Sequence, residues 1–169
     1  MARVLGVVGK IEVSQAAGVL AALSPMNDWI SNVNDAFSLA RNRESVVRTT
    51  RINREKALRI LDGEKADVVL RGRKVRSFWA GISDPYSSTL VAVDRHLYRA
   101  AVGEGMRARD AAPSRKEYDE IEESFGFVGR EVGESVVGVA STIWIVMRRV
   151  SNPVQQGLEF DEPREERLV

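Results

Sequence analysis

The chain of 169 residues contains no cysteine. Disulfides, zinc–thiolate sites, cysteine nucleophiles and thiolate-ligated iron–sulfur clusters are therefore excluded. A single histidine, His96, excludes a paired-histidine metal site, and we expect neither a metal nor another cofactor. Apolar runs stay shorter than the roughly eighteen residues of a membrane span, and no export signal opens the sequence. A reducing cytoplasm is the simplest location.

The composition, 44% apolar and 29% charged residues, is typical of one globular domain with one core. We expect this domain to span residues 1–152. From Pro153 the sequence becomes rich in Gln, Glu and Arg, which predicts a mobile, acidic tail over residues 153–169.

Positive charge is concentrated in one segment, although the whole chain has a net charge of only +1. Between Arg41 and Arg76, twelve basic residues face five acidic residues, a balance of +7 that leaves −6 for the remainder. Clustered Arg and Lys release counterions from phosphates, so this block indicates a surface for a polyanion. Solvated helix faces are the alternative interpretation. The basic residues are Arg41, Arg43, Arg48, Arg51, Arg54, Lys56, Arg59, Lys65, Arg71, Arg73, Lys74 and Arg76.

Apolar spacing predicts helices along the whole domain, and the predicted N-cap residues are Ser14, Asp28, Asn53, Asp94 and Ser114. Thr89–Val93 has the composition of a strand but lacks clear pairing partners, so we expect an extended buried segment. We expect the last helix, 136–150, to be the central, most buried one. The predicted helices run over 14–23, 28–44, 53–61, 64–70, 72–82, 94 to Gly103 or Gly105, 114–125 and 136–150.

Two stretches together resemble the helix-hairpin-helix DNA glycosylase superfamily. The segment from Gly72 reads G-R-K-V-R-S-F and is followed by V-A-V-D-R-H-L-Y-R, similar to the family's G-R-K-T-A and V-D-T-H. An earlier segment reads L-S-P-M-N-D-W, similar to the family's L-S-x-Q-x-x-D. The same combination resembles uncharacterised proteins of actinobacterial phages, which implies the cytoplasm of a host cell.

The resemblance implies an all-α fold that extrudes a base from DNA and cuts its glycosidic bond. Lys74 falls on the family's lysine nucleophile and Asp94 on its catalytic aspartate. Met26 takes the place of a residue that wedges into the duplex, with Asn27 beside it as a further DNA contact.

The segment that corresponds to the family's hairpin, just before Arg73, departs from the family's pattern. Relatives read L-P-G-V-G, whose backbone amides grip a phosphate, whereas this chain has Leu70-Arg71-Gly72 and keeps one glycine. We expect Arg71, Gly72, Arg73 and Arg76 to contact DNA, with guanidinium groups replacing amide donors.

Each of these residues also has an ordinary structural interpretation. Lys74 is equally a solvated or phosphate-contacting lysine, and Asp94 equally the N-cap of the helix that follows it. His96 is expected to pack near Asp94 rather than to catalyse. The acidic residues Asp119, Glu120, Glu122 and Glu123 are expected to face solvent on a capped helix.

Three functions therefore stay open. The chain is a DNA-binding protein that acts as a glycosylase with lyase chemistry, or a non-catalytic DNA-binding module on the same scaffold, or a modified-pyrimidine processing enzyme. Fold alone does not decide among them, and the sequence leaves the oligomeric state unknown.

The sequence predicts that residues 153–169 are dispensable for folding, because this segment has little apolar surface to bury. Truncation after Asn152 is expected to leave the melting temperature nearly unchanged in a thermal unfolding experiment. A loss of several degrees would show instead that the segment docks on the domain.

Overall fold

A computed structural model describes residues 2, 11–103 and 113–151. Within these ranges the regular secondary structure is α-helical and no β-strand occurs, which confirms the all-α prediction. None of the helices in these ranges combines the length and the apolar content that crossing a lipid bilayer requires. The predicted tail, 153–169, lies outside the described residues.

Eight helices have their bounds inside the described ranges. They are α1 Val13–Leu23, α2 Trp29–Arg41, α3 Arg51–Leu61, α4 Ala66–Val69, α5 Arg73–Ser83, α6 Arg95–Val102, α7 Arg115–Val132 and α8 Val136–Ser151.

Helix α1 is the most buried element of the described structure. Every residue from Ala16 to Leu23 is buried. Small residues permit this because neighbouring helices approach closely: a Cβ atom at Gly18 would lie 2.7 Å from the Cβ of Ala66 and 3.3 Å from a methyl group of Ile60. The first apolar cluster forms around α1, with residues of α2, α3 and α4.

The prediction that helix 136–150 is the central one is wrong. Only Val139 and Ala140 of α8 are buried, whereas Ile145, Val146 and Val150 are 48%, 52% and 61% exposed. Its apolar composition misled the prediction, because hydrophobicity alone does not show whether neighbours cover both faces.

Buried apolar residues form two clusters rather than the single core expected. The second cluster involves α6, α7, α8 and the segment before α6. Thr89–Val93 pairs with no strand, as predicted, but only part of it is buried: Val91 and Val93 are buried, whereas Thr89 and Leu90 are exposed. The Val93 N–H also donates to the Val91 carbonyl at 3.0 Å, so the chain turns tightly there and is not extended throughout. The cluster comprises Val91, Val93, Leu97, Tyr98, Tyr118, Ile121, Phe125, Val139 and Ala140.

Helix α5 lies between the clusters. The predicted stripe of Val75, Phe78, Trp79 and Ile82 packs against the first cluster. Toward α8, the side chains of α5 are small. Gly81 is buried, and a Cβ atom there would lie 3.3 Å from a methyl group of Val137 in α8. This change of composition around α5 separates the two apolar clusters.

Three predicted helix caps are confirmed. Asp28 accepts a hydrogen bond from the Ser31 N–H, Asp94 caps α6, and Ser114 forms the capping box with Glu117. Two others are wrong: Glu12 rather than Ser14 is the N-cap residue of α1, and Thr50 rather than Asn53 caps α3, its hydroxyl accepting from the Asn53 N–H at 3.3 Å.

The close packing at Gly18 predicts opposite outcomes for two glycine-to-alanine substitutions inside helices. Gly18→Ala is expected to lower stability, since the new Cβ forces α1 and α4 apart and overpacking costs about 1–3 kcal/mol. Gly126→Ala in α7 is the control, because its Cβ meets only the flexible end of Arg130, 3.6 Å away, and alanine gains about 0.5–1 kcal/mol in a helix. Urea unfolding measures both, and equal shifts would contradict the packing argument.

Candidate nucleic-acid interface

The turn between α4 and α5 is anchored in the core at its start and exposed to solvent in the residues that follow. Leu70 is buried in the first cluster, whereas Arg71 and Gly72 are exposed. Gly72 has φ +82°, a conformation that residues with a Cβ rarely adopt, so glycine is required here. No side chain caps α5, and its N-terminal N–H groups therefore border the exposed surface.

Four cations surround this turn: Lys65, Arg71, Lys74 and Arg76. All four are exposed, and none of their side chains forms a hydrogen bond or ion pair with another described residue. We call these four residues, together with Gly72, the turn surface. Its charges are available to an external partner because no carboxylate of the described chain neutralises them.

Arg73 differs from its neighbours because it points toward α7. Its guanidinium pairs with Asp119 at 2.5 Å and with Glu122, and it lies over the Tyr118 ring at 4.2 Å from the centroid. The sequence predicted a DNA contact for Arg73, but the structure places its charge against two carboxylates of the same chain. An open groove of about 550 Å³ adjoins this cluster, lined by Arg73, Pro113, Ser114, Arg115, Tyr118 and Asp119.

Other cations of the basic block also stabilise the fold. Arg43 donates to the carbonyl groups of Leu39, Ala40 and Leu61. Arg54 donates to two further carbonyl groups, and Arg59 pairs with Glu64 through two hydrogen bonds. The +7 segment is therefore not a uniform polyanion surface. Besides Arg54, seven of its cations lack a carboxylate partner for their side chains among the described residues: Arg41, Arg48 and Lys56, and the four of the turn surface.

Met26 and Asn27 lie in the turn between α1 and α2. Met26 is 97% exposed and has φ +63°, so the turn presents an apolar side chain to solvent. Asn27 donates to the Asp35 carboxylate at 2.9 Å and thus holds the turn in place.

An aromatic contact joins α2 to α5. The Trp29 ring meets the Phe78 ring edge-on, with 6.4 Å between the ring centroids. Phe78 lies one helical turn after Lys74 in α5. The two predicted DNA-contacting segments therefore flank the same contact between α2 and α5.

Asp94 is surrounded by hydrogen-bond donors. One oxygen, Oδ1, accepts from the N–H groups of His96 and Leu97 at 2.9 and 3.0 Å. The other, Oδ2, accepts from the Trp144 indole at 2.8 Å. Within the described residues no hydrogen bond or ion pair joins it to Lys74. The carboxylate therefore caps α6 and ties α6 to α8.

His96 packs next to this carboxylate, as the sequence predicted. Its ring is buried and meets Trp144 edge-on, 6.1 Å between centroids. Burial lowers the pKa of His96, since the charged imidazolium would lose its hydration, and the ring is neutral at pH 7.

The acidic cluster on α7 is only partly solvent-facing. Asp119, Glu120 and Glu123 are exposed, but the Glu122 side chain is 12% exposed, and the expectation for it is wrong. Glu122 accepts from the Val91 N–H at 3.0 Å in addition to Arg73. Within the described ranges no group of three His, Asp or Glu side chains is arranged to hold a metal ion.

Sequence reasoning missed the role of Tyr118. Its hydroxyl donates to the Val91 carbonyl at 2.7 Å and accepts from the Val93 N–H at 3.0 Å. Burial raises the pKa of Tyr118, which keeps the hydroxyl protonated for this donation. The only available signal was a polar aromatic residue on the apolar face of a predicted helix.

Comparison with known proteins adds a family but no activity. No curated protein and no solved structure matches the chain. A family model does match, over residues 1–151, and it includes α1 to α8 and the turn surface. The chain belongs to this family, which is described as a family of unknown function, DUF7178.

Proposed function

We propose that this protein binds DNA through the turn surface. The observation that carries the proposal is the set of exposed cations, Lys65, Arg71, Lys74 and Arg76, that lack carboxylate partners in the described chain. Unpaired surface cations beside an uncapped helix N-terminus favour a phosphate backbone as the partner.

The backbone of the same turn supports the proposal. Helix α5 has no side-chain cap, and N–H groups at a helix N-terminus attract anions. Gly72 leaves the approach open, since no atom lies within 4 Å of its missing Cβ position. Arg71 supplies a guanidinium that donates two hydrogen bonds to one phosphate. The resemblance to the helix-hairpin-helix glycosylases agrees with a phosphate contact at this turn.

The contact between Trp29 and Phe78 gives the interface an apolar border. Met26 projects from the turn that precedes Trp29, and its unbranched side chain is suited to insertion between bases. In this proposal the turn surface holds the backbone and Met26 reaches the base stack.

A second candidate function is base excision, with Lys74 as the nucleophile. The exposure of Lys74 favours it, because the amine is accessible to a bound nucleotide. The amine would attack the sugar C1′ as the base leaves with the bonding electrons of the glycosidic bond. After nitrogen loses a proton, its electron pair would form the C1′=N bond of the Schiff base while the C1′–O4′ bond breaks and O4′ takes a proton. Asp94 is ordered by three N–H donors and would stabilise positive charge on the sugar at a distance. The saturation of its oxygens favours the non-catalytic module instead.

DNA affinity is expected to depend on the turn surface rather than on net charge. The triple variant Arg71→Glu, Lys74→Glu, Arg76→Glu should weaken binding at least tenfold and reduce the salt dependence by about one unit of slope per lost phosphate contact. Arg73 is left intact because it stabilises the fold.

The matched control reverses three exposed cations on α7, namely Arg115, Lys116 and Arg130. This control changes the net charge equally. Fluorescence polarisation across a salt series measures both variants. Equal losses of affinity, or none in either, would contradict DNA binding at the turn surface.

Base excision predicts a covalent adduct that borohydride reduction traps on abasic or damaged DNA. Lys74→Gln is expected to abolish this adduct and to leave folding intact, whereas Arg76→Gln, which removes the same charge, retains it. A wild-type protein that traps no adduct and releases no base would contradict the reaction and leave the binding module.

The Asp94 carboxylate can be tested separately from its hydrogen bond to Trp144. Asp94→Asn removes the charge and replaces one carboxylate oxygen with an NH₂ group, which cannot accept the hydrogen bond that this oxygen accepts. The expected stability cost is about 1–3 kcal/mol. Trp144→Phe removes the same inter-helix hydrogen bond and keeps the carboxylate. If the charge serves the reaction, excision falls by orders of magnitude in Asp94→Asn only, and an equal fall in both variants indicates a structural role.

A further inference from the structure

Helix α8 presents an apolar face to solvent in addition to the face it buries. The exposed residues of α8 fall at i, i+1, i+4, i+5, i+8 and i+9, which is one continuous face of a helix. Half of them are large apolar residues and only one is charged. They are Ser141, Thr142, Ile145, Val146, Arg149 and Val150.

Such a face is unusual for a surface helix, which normally exposes charged and polar residues. A helix that is apolar on opposite sides is normally covered on both. The inner side of α8 is covered by α6 and α7, through Val139 and Ala140 in the second cluster. Nothing in residues 11–103 and 113–150 covers the outer face, which indicates a surface for another molecule.

We propose that this face pairs with the same face of a second copy of the chain, so that two α8 helices cross in antiparallel orientation about a two-fold axis. The charges at the two ends of the face identify the occupant. Glu134 precedes α8 and Arg149 lies in its last turn. Both are exposed and neither pairs with another described residue.

Antiparallel pairing brings these charges together at both ends. In a two-fold pair, the positions that face each other have a constant sum of residue numbers. Setting Arg149 opposite Glu134 of the second copy places Ser141 opposite Thr142 at the crossing point. The small side chains there permit close approach of the two helices.

The same register fits the remaining side chains of the face. It sets Ile145 of one copy opposite Gly138 of the other, where a Cβ atom would lie 3.0 Å from the Glu134 carboxylate and 3.1 Å from the Ser135 hydroxyl of that copy. Gly138, Ser141, Thr142, Ile145 and Arg149 follow spacings of three and four residues and share one side of the helix. A single register therefore satisfies the charge pairing and the helical periodicity of these residues, and each charge pair occurs twice by symmetry.

Analytical ultracentrifugation of the full chain tests the pairing. The wild-type mass is expected to rise with concentration to twice 18.8 kDa. Ile145→Asp is expected to weaken the dimer at least tenfold without loss of helical content, since Ile145 lies on the outer face. A monomer at every concentration up to about 100 µM, or a dimer that Ile145→Asp does not weaken, would overturn the proposal.

The charge pairs test the register. Glu134→Arg alone and Arg149→Glu alone each set like charges opposite one another at both ends, and each should weaken self-association. Mixing the two single variants restores opposite charges at both ends and should form a heterodimer. The double variant should dimerise like the wild type. Failure of both the mixture and the double variant to associate would overturn the antiparallel arrangement.

The absence of cysteine permits an independent measurement. Ser141→Cys, near the proposed axis, is expected to form an intermolecular disulfide on oxidation. Ser124→Cys, exposed on α7, is the control that should not. Equal cross-linking at both positions would contradict the proposed crossing point.

Discussion

The interaction of Arg73 with α7 connects the two halves of the described structure. A guanidinium at the start of α5 pairs with two carboxylates and lies over the Tyr118 ring, so one side chain joins the first cluster to the second. Glu122 is largely buried, and removing its cationic partner would leave a desolvated charge. Because successive helical residues project about 100° apart, the same geometry that turns Arg73 inward turns Lys74 outward.

The segment before α6 depends on the same cluster. A chain segment without a strand partner must satisfy its backbone groups by other means. Tyr118 and Glu122 do this for Val91 and Val93, through three hydrogen bonds. Asp94 follows this segment at the start of α6, where its carboxylate caps the helix and accepts a hydrogen bond from the Trp144 indole. Arg73, Tyr118 and Glu122 thus join α5, α7 and the segment before α6, and Asp94, the next residue after Val93, joins α6 to α8.

Local chemistry allowed most of the helices to be predicted from the sequence. Asp28, Asp94 and Ser114 are caps whose side chains bond residues two or three positions away, and such contacts depend only on neighbouring residues. Asn53 was the wrong choice because both Thr50 and Asn53 are capping types, and only packing decides between them. The pairing of Arg73 with Asp119 and Glu122 joins residues more than forty positions apart, for which one sequence contains no local signal.

The distribution of partners among the cations also explains why charge counting identified a segment but not a site. Arg43, Arg54, Arg59 and Arg73 lie in the same basic block, yet each is engaged by carbonyl or carboxylate groups of the fold. An Arg that stabilises a helix end and an Arg that remains free contribute equally to a sequence sum. Only the three-dimensional arrangement separates them, and it leaves four of the unpaired cations close to a glycine turn and an uncapped helix. A polyanion would therefore meet a small, directional group of donors, not a diffuse positive surface, and such a group favours contact with individual phosphates.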